Sequence, residues 1–352
     1  MSPRGPQRGA IHDFLLDSVT AHPHDLVTYG AEHFGMSRQA LHRHVRQLID
    51  TGDLFTNGKR RPTYALPDVE IVEHFETPSV DEGVLWTRIA APVVRHLPEN
   101  IRTIAAYGFT EMVNNARDHS QSPMVSIVVR RTPALLEIKV LDAGVGIFEK
   151  IRSYAGLASA AEAVFELSKG KFTTDPARHS GQGIFFTSRI FDEFTILSRG
   201  IYFSHERGEE DWILESKPVS NQGTSIFMQI APTSQHTVVE VFDRFATSPE
   251  HYDFSKTIIA VKLLETASEE LISRSQAKRL TARLHRFTEV ILDFQGVASI
   301  GQAFADEIFR VFRSHHGDIR LIAVNTAPEV ARMIQRAQVA FVAQTIDPER
   351  PG

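Results

Sequence analysis

The chain has 352 residues, 42% of them apolar and 23% charged, with a formal net charge of −5. That length suits two or three domains with sizeable cores, and that composition excludes a disordered, collagen-like or disulfide-stapled chain. Cysteine is absent, which removes disulfides, thiolate-bound zinc and a thiol nucleophile together. Met1–Gly9 is polar, and the first apolar run, Ile11–Val19, is broken by His12, Asp13, Asp17 and Ser18. Neither a secretory leader nor a membrane span is read, so a soluble, cytoplasmic protein without membrane contact is expected.

Residues 1–9 read as an arm, and 10–66 read as three helical patterns followed by a short hairpin. Ser37 can cap a helix from Arg38 to Ile49. Leu41, Val45, Leu48 and Ile49 give it an apolar face; Arg38, Gln39, His42, Arg43 and Arg46 lie opposite. Asn57-Gly58 is a hairpin turn signal, with Lys59, Arg60 and Arg61 at the tip. From Gly35 to Leu66 there are six basic residues against two acidic ones, in a chain that is acidic overall. The pattern resembles a winged helix-turn-helix. That resemblance implies a recognition helix in the major groove and a basic wing on phosphates of double-stranded DNA. A winged helix used for protein contacts is the alternative.

Pro67–Gly83 reads as an acidic linker. Helices are expected at Val84–Leu97, where Pro92 kinks the chain, and at Ile101–His119. Strands follow at Val125–Arg130 and Leu135–Leu141, then a glycine-rich turn and a helix at Leu157–Ser168. After a polar loop, a helix opens at Gly181–Gly183. Strands are expected at Glu193–Ser198, Asp211–Glu215 and Thr224–Ile230, and a second linker at Pro232–Pro249. The last hundred residues alternate strand and helix.

Four motifs occur in order within residues 84–232. In Glu111-Met-Val-Asn-Asn115-Ala-Arg-Asp118-His119, the residues Glu111, Asn115 and His119 share one helix face. A carboxylate there can take a proton from water, and an amide oxygen is a hard ligand suited to Mg2+. Asp142-Ala-Gly144-Val-Gly146 ends a strand, Gly181-Gln-Gly183 opens a helix whose amides suit phosphate, and Gly223-Thr224 begins a strand. No Gly-x-x-x-x-Gly-Lys-[Ser/Thr] is present, which excludes a P-loop.

Together these motifs resemble the GHKL ATP-binding fold of gyrase, heat-shock chaperones, histidine kinases and MutL. The resemblance implies ATP and Mg2+ as cofactors. It makes Glu111 the residue that polarises the attacking water and Asn115 the Mg2+ ligand. Asp142 would accept from the adenine amino group, Gly144 and Gly146 would fit adenine and the lid hinge, and Thr224 would support Asp142 through water. Gly181 and Gly183 would cradle phosphate. Residues 148–180 would be the lid, with Lys171 as the phosphate contact among Lys169, Lys171, Arg178 and His179.

Toward the C-terminus, Glu289–Phe294 reads as a strand, followed by Gln295–Gln302 and an amphipathic helix. This resembles a STAS domain, in particular the STAS-like domain of unknown function found beside GHKL modules. Gly301-Gln302 stands where STAS phosphoacceptors carry Asp-Ser, and Ser299 lies two residues early.

The expected fold class is therefore multidomain α+β. A winged helix occupies residues 1–66, a GHKL-type α/β sandwich 84–232 and a STAS-like α/β domain 250–352, with linkers at 67–83 and 233–249. The expected function is a slow ATPase that couples nucleotide state to DNA binding, as a transcriptional regulator or DNA-associated defence factor. A homodimer and a protein partner of the STAS-like domain fit this reading. The alternative is an anti-sigma-type serine/threonine kinase acting on a STAS partner. A sensor histidine kinase is disfavoured, because no helical hairpin with a phosphoacceptor histidine precedes residue 84; His74 lies in the acidic segment.

Overall fold

Residues 8–58, 60–77, 81–175, 180–216, 223–247, 254–265 and 270–346 are described by a computed structural model. In chain order the strands are β1 (Phe55–Asn57), β2 (Thr63–Ala65), β3 (Val69–Glu76), β4 (Met124–Arg131), β5 (Leu136–Asp142), β6 (Glu193–Ser198), β7 (Ile201–Glu206), β8 (Trp212–Glu215), β9 (Thr224–Ile230), β10 (Lys256–Ala260), β11 (Glu289–Asp293) and β12 (Arg320–Val324). The chain is mixed α/β and divides into two units. One comprises Met1–Gly146, Ile190–Ile196 and Asn221–Val238; the other comprises Ile147–Arg189, Leu197–Ser220 and Val239–Gly352.

The first unit opens with helices Arg8–Ser18, Leu26–Phe34 and Arg38–Asp50, then the antiparallel β1–β2 hairpin. Gly35, at φ +61°, ends the second helix in the left-handed region, and the Ser37 hydroxyl accepts from Ala40 N at 3.2 Å to start the third. Leu15, Leu26, Leu41, Val45 and Leu48 close a small core.

Beyond it, the sheet strands that belong to this unit run in the order β3-β4-β5-β9-β6. Residues 69–76, expected as part of a linker, form β3, paired along its length with β4. The helix expected at 84–97 spans Glu82–Val94, with a π-helical turn at Trp86–Ala90 just before Pro92. Proline lacks the N–H that would pair with the preceding turn, and the wider turn accommodates that loss.

Helix Glu99–His119 carries the central core. Ile104, Phe109, Met112 and Val113 are buried, as are Ile127, Val129, Ile138, Val140 and Met228 of the sheet. The alternation along β4 and β9 buries one side-chain set and leaves the other partly exposed.

In the second unit, the expected helix 157–168 spans Ala160–Ser168, and a further helix, Ile147–Ala155, precedes it. The former is capped by Ser159, which accepts from Glu162 N at 3.2 Å. Helix Gly183–Ile190 supplies Phe185 and Phe186 to an aromatic cluster with Phe245 and Phe254. Strand β7 was not expected; it pairs antiparallel with β8. Buried Asp211 at that hairpin accepts from Arg189 at 2.9 Å and pairs with His205.

The C-terminal sheet is three-stranded and parallel, in the order β10-β11-β12. Its crossovers carry helices at Arg274–Thr281 and Gln302–His315, and Pro328–Ile346 follows β12. Val290, Leu292 and Phe294 are buried, as are Phe304 and Ile308 of the second crossover. Among the described residues, no helix is long and apolar enough to cross a membrane.

Candidate functional site

The site begins with the pattern of helix Glu99–His119. Its buried residues, Ile101, Ile104, Ala105, Gly108, Phe109, Met112, Val113 and Ala116, recur at helical spacing and fix which side faces the sheet. Tyr107, Glu111, Asn114, Asn115 and Asp118 fall on an adjoining face and are half-buried. Burial, together with the charge of Glu111, raises the Tyr107 phenol well above its ordinary range. Asp118 is occupied: Arg117 forks onto it at 2.8 and 3.1 Å and reaches Glu82 at 2.9 Å.

Two polar atoms on this face are buried without a hydrogen-bond partner, Asn114 Oδ1 and Asn115 Nδ2. A buried unsatisfied amide costs about 1–3 kcal/mol and calls for an explanation. The oxygen and nitrogen of an amide can exchange places by a flip. Asn115 can therefore present either a donor or a hard oxygen ligand to an incoming group, and Asn114, beside it, was not singled out from the sequence.

The next part is the turn after β5. Asp142 pairs in register with Thr224, the first residue of β9. Its Oδ1 accepts from Gly144 N at 2.9 Å and from Thr224 N at 3.2 Å, so Thr224 supports it directly through the backbone. Both bonds use one oxygen, leaving Oδ2 to accept from a ligand. Burial raises the Asp142 carboxyl above the usual range, against the lowering effect of these two N–H groups.

The turn is fastened to the end of the helix that carries Glu111 and Asn115. Val145 N donates to Ser120 O at 2.9 Å, and Ala143 N to Ser122 Oγ at 3.2 Å. Gly144 permits this: a Cβ there would lie 1.8 Å from Ser120 O. Gly144→Ala is therefore expected to cost at least about 3 kcal/mol in urea unfolding, since backbone must move to admit the methyl group. Gly146, at φ +82°, closes the turn.

The remaining expected site residues lie in the second unit. Gly181 packs against the Phe172 backbone, and Gly183 starts its helix. Lys171 Nζ donates to Arg286 O at 2.8 Å and lies over the Phe287 ring at 4.8 Å. Lys169 is 1% exposed and pairs with Glu166, an arrangement no sequence signal marked. Arg178 and His179 lie outside the described residues.

In the N-terminal module, Arg38, Gln39, His42, Arg43, Arg46, Arg60 and Arg61 are all exposed; Lys59 lies outside the described residues. His44, on the same helix, faces inward to His12 at 3.2 Å, and burial lowers its pKa. The first helix is joined to the segment before residue 99, through Asp17 to His96 at 2.7 Å and Asp13 to Arg95 at 3.6 Å.

No curated protein matches the chain. Residues 276–331 match the STAS-like domain of unknown function DUF4325, and they span the second parallel strand, both flanking helices and β12. That segment of the chain is a STAS-like domain.

Proposed function

We propose that the first unit binds ATP with Mg2+ in a GHKL-type site and that nucleotide state governs DNA binding by an N-terminal winged helix. The observation that carries the nucleotide reading is the unsatisfied buried amide of Asn115. It lies one helical turn from Glu111, on a helix whose end is sewn to the Asp142 turn.

The donor set fits the cofactor. Asn115 offers an amide oxygen, and phosphate and water would complete a magnesium shell that few proteins fill alone. Mg2+, when bound, neutralises phosphate charge. Glu111 would hold and polarise a water, taking its proton as general base. Asp142 Oδ2 would accept from an exocyclic amino group, while its Oδ1 stays fixed by Gly144 and Thr224.

Calorimetry of the full chain with ATP, with and without Mg2+, tests this. Uptake that requires Mg2+ is expected, and its absence in well-folded protein would sink the reading.

Coupling to DNA is supported by the exposed basic face of Arg38–Asp50 and by the Asp17–His96 and Asp13–Arg95 ties. Arg43→Ala is expected to weaken duplex binding about tenfold. Wild-type affinity should fall steeply with salt as counterions are released. Binding insensitive to both would remove the DNA reading.

The STAS-like match favours a second reading, phosphotransfer to a serine of a STAS partner. In this chain Gly301-Gln302 replaces the Asp-Ser pair. A Cβ at 301 would lie 2.7 Å from Ile272 Cα, so side chains are excluded there. Ser299 is exposed. Label from γ-labelled ATP appearing on protein would select the kinase; label released only as free phosphate would select the ATPase.

A further inference from the structure

We propose that the second unit holds a binding site for a small zwitterion, an α-amino acid, in the cavity where the β7–β8 hairpin meets the carboxyl ends of β10 and β11. The site is independent of the nucleotide reading, and every residue that forms it lies within that unit.

The cavity has a volume of about 220 Å³. Drug-sized ligands occupy pockets from about 300 Å³ upward, so this one suits a molecule smaller than a nucleotide. Ala260 and Asp293, the last residues of β10 and β11, are register partners, and both line it. Crevices at the carboxyl ends of parallel strands are common ligand sites in α/β folds. His205 and Glu210 come from the hairpin, and Arg244 from the end of helix Val238–Arg244. A Cβ at Gly296, in the turn after β11, would lie 3.1 Å from Glu210 Oε2, so the hairpin closely approaches those strand ends.

The charged groups of the wall divide into those satisfied by the protein and those left open. Asp211 spends both oxygens internally: one pairs with His205 Nδ1, and the other accepts from Arg189 at 2.9 Å. Lys262 pairs with Glu265. His205, held through Nδ1, presents Nε2, which is an acceptor in the neutral ring. Burial, and then the Arg189 charge, lower the His205 pKa and keep the ring neutral. Asp293 Oδ1 accepts from Gln295 N and from Asn325 Nδ2, each at 2.9 Å, which leaves Oδ2 open. Among the described residues, His205 Nε2, Asp293 Oδ2 and the Arg244 guanidinium have no protein partner.

One small cavity thus carries an ionised acceptor, a neutral acceptor and an open planar cation. A guanidinium takes a carboxylate through two parallel bonds. An ammonium, with three N–H donors and no acceptor, matches Asp293 Oδ2 and the imidazole lone pair. A simple anion would leave the Asp293 and Glu210 carboxylates uncompensated beside it, and a simple amine would do the same to Arg244. A zwitterion compensates both signs at once, and the wrong ligands are rejected by the charges they strand.

Calorimetry of the full chain against the proteinogenic amino acids, one at a time at millimolar concentration, tests the proposal. At least one is expected to bind with a Kd below about 1 mM. Its two truncated counterparts, the carboxylic acid without the amino group and the amine without the carboxylate, should each bind at least about tenfold more weakly. Arg244→Ala, at an exposed side chain, should weaken uptake by about tenfold or more, and Asp293→Asn, which keeps an oxygen for Gln295 N and Asn325, should do likewise. Thermal unfolding checks that both variants fold. No uptake of any amino acid by folded wild-type protein overturns the site. Equal binding of the truncated acid, or of inorganic phosphate, overturns the zwitterion as its ligand. Amino-acid uptake that survives both substitutions overturns the assignment to this cavity.

Discussion

Asn115→Ala is expected to weaken Mg2+-dependent ATP binding at least a hundredfold while leaving the ligand-free protein as stable as wild type, or slightly more so. The two halves of that expectation have one cause. Asn115 Nδ2 is buried without a partner, so alanine removes a group that costs about 1–3 kcal/mol to bury unsatisfied. A structural asparagine would behave in the opposite way, losing stability on truncation. Glu111→Ala is expected to keep binding within a few-fold and to lose about 10²–10⁴ in turnover, the range for a general base. Calorimetry and steady-state phosphate release separate the two variants. Tyr107 adds an internal reporter: the Glu111 charge helps raise its phenol. Glu111→Ala should therefore lower the pH at which tyrosine absorbance shifts toward phenolate. Normal turnover in Glu111→Ala would remove it as the base.

Much of the fold was legible because its signals are local. The apolar spacing from Ile101 to Ala116 marks the long helix, and alternation marks β4 and β9. Gly35 and Ser37 mark the end of one helix and the start of the next. Strand β3 was not legible. Its sequence, Val-Glu-Ile-Val-Glu-His-Phe-Glu, alternates only between half-buried and exposed, as suits a sheet edge, and its acids read as a linker. Pairing with β4 decides its conformation, and pairing is a tertiary fact. The site divides in the same way. Glu111 and Asn115 share a face by helical period alone. The bond from Thr224 N to Asp142 joins residues 82 apart in sequence, and only the β5–β9 register brings them together. Lys169 and Lys171 are equivalent in a one-dimensional reading of the polar loop. One is buried on Glu166 and the other lies over aromatic rings, because Phe254, Phe287 and the 279–286 carbonyls come from distant chain.

Asp142→Asn should move stability and binding in opposite directions. Burial raises the Asp142 carboxyl in the folded chain. A raised folded value means that the carboxyl's contribution is fully present below its unfolded value and is lost as pH rises through the folded value. At neutral pH the ionised group therefore costs the fold stability. Asparagine discards the charge yet keeps an oxygen for Gly144 N and Thr224 N, the two donors now on Oδ1. Thermal unfolding of the ligand-free variant should thus occur at higher temperature than wild type near pH 7. That gap should close toward pH 3, where the wild-type carboxyl is protonated. Those same two N–H groups fix the amide orientation. The oxygen must face them, and Nδ2 must occupy the place of Oδ2. An adenine amino group arriving there would meet a donor instead of an acceptor, so ATP affinity should fall at least a hundredfold. Stability gained where binding is lost marks a residue kept for its ligand rather than for the fold. If the variant instead unfolds at lower temperature and binds ATP as wild type does, Asp142 serves only the β5–β9 turn.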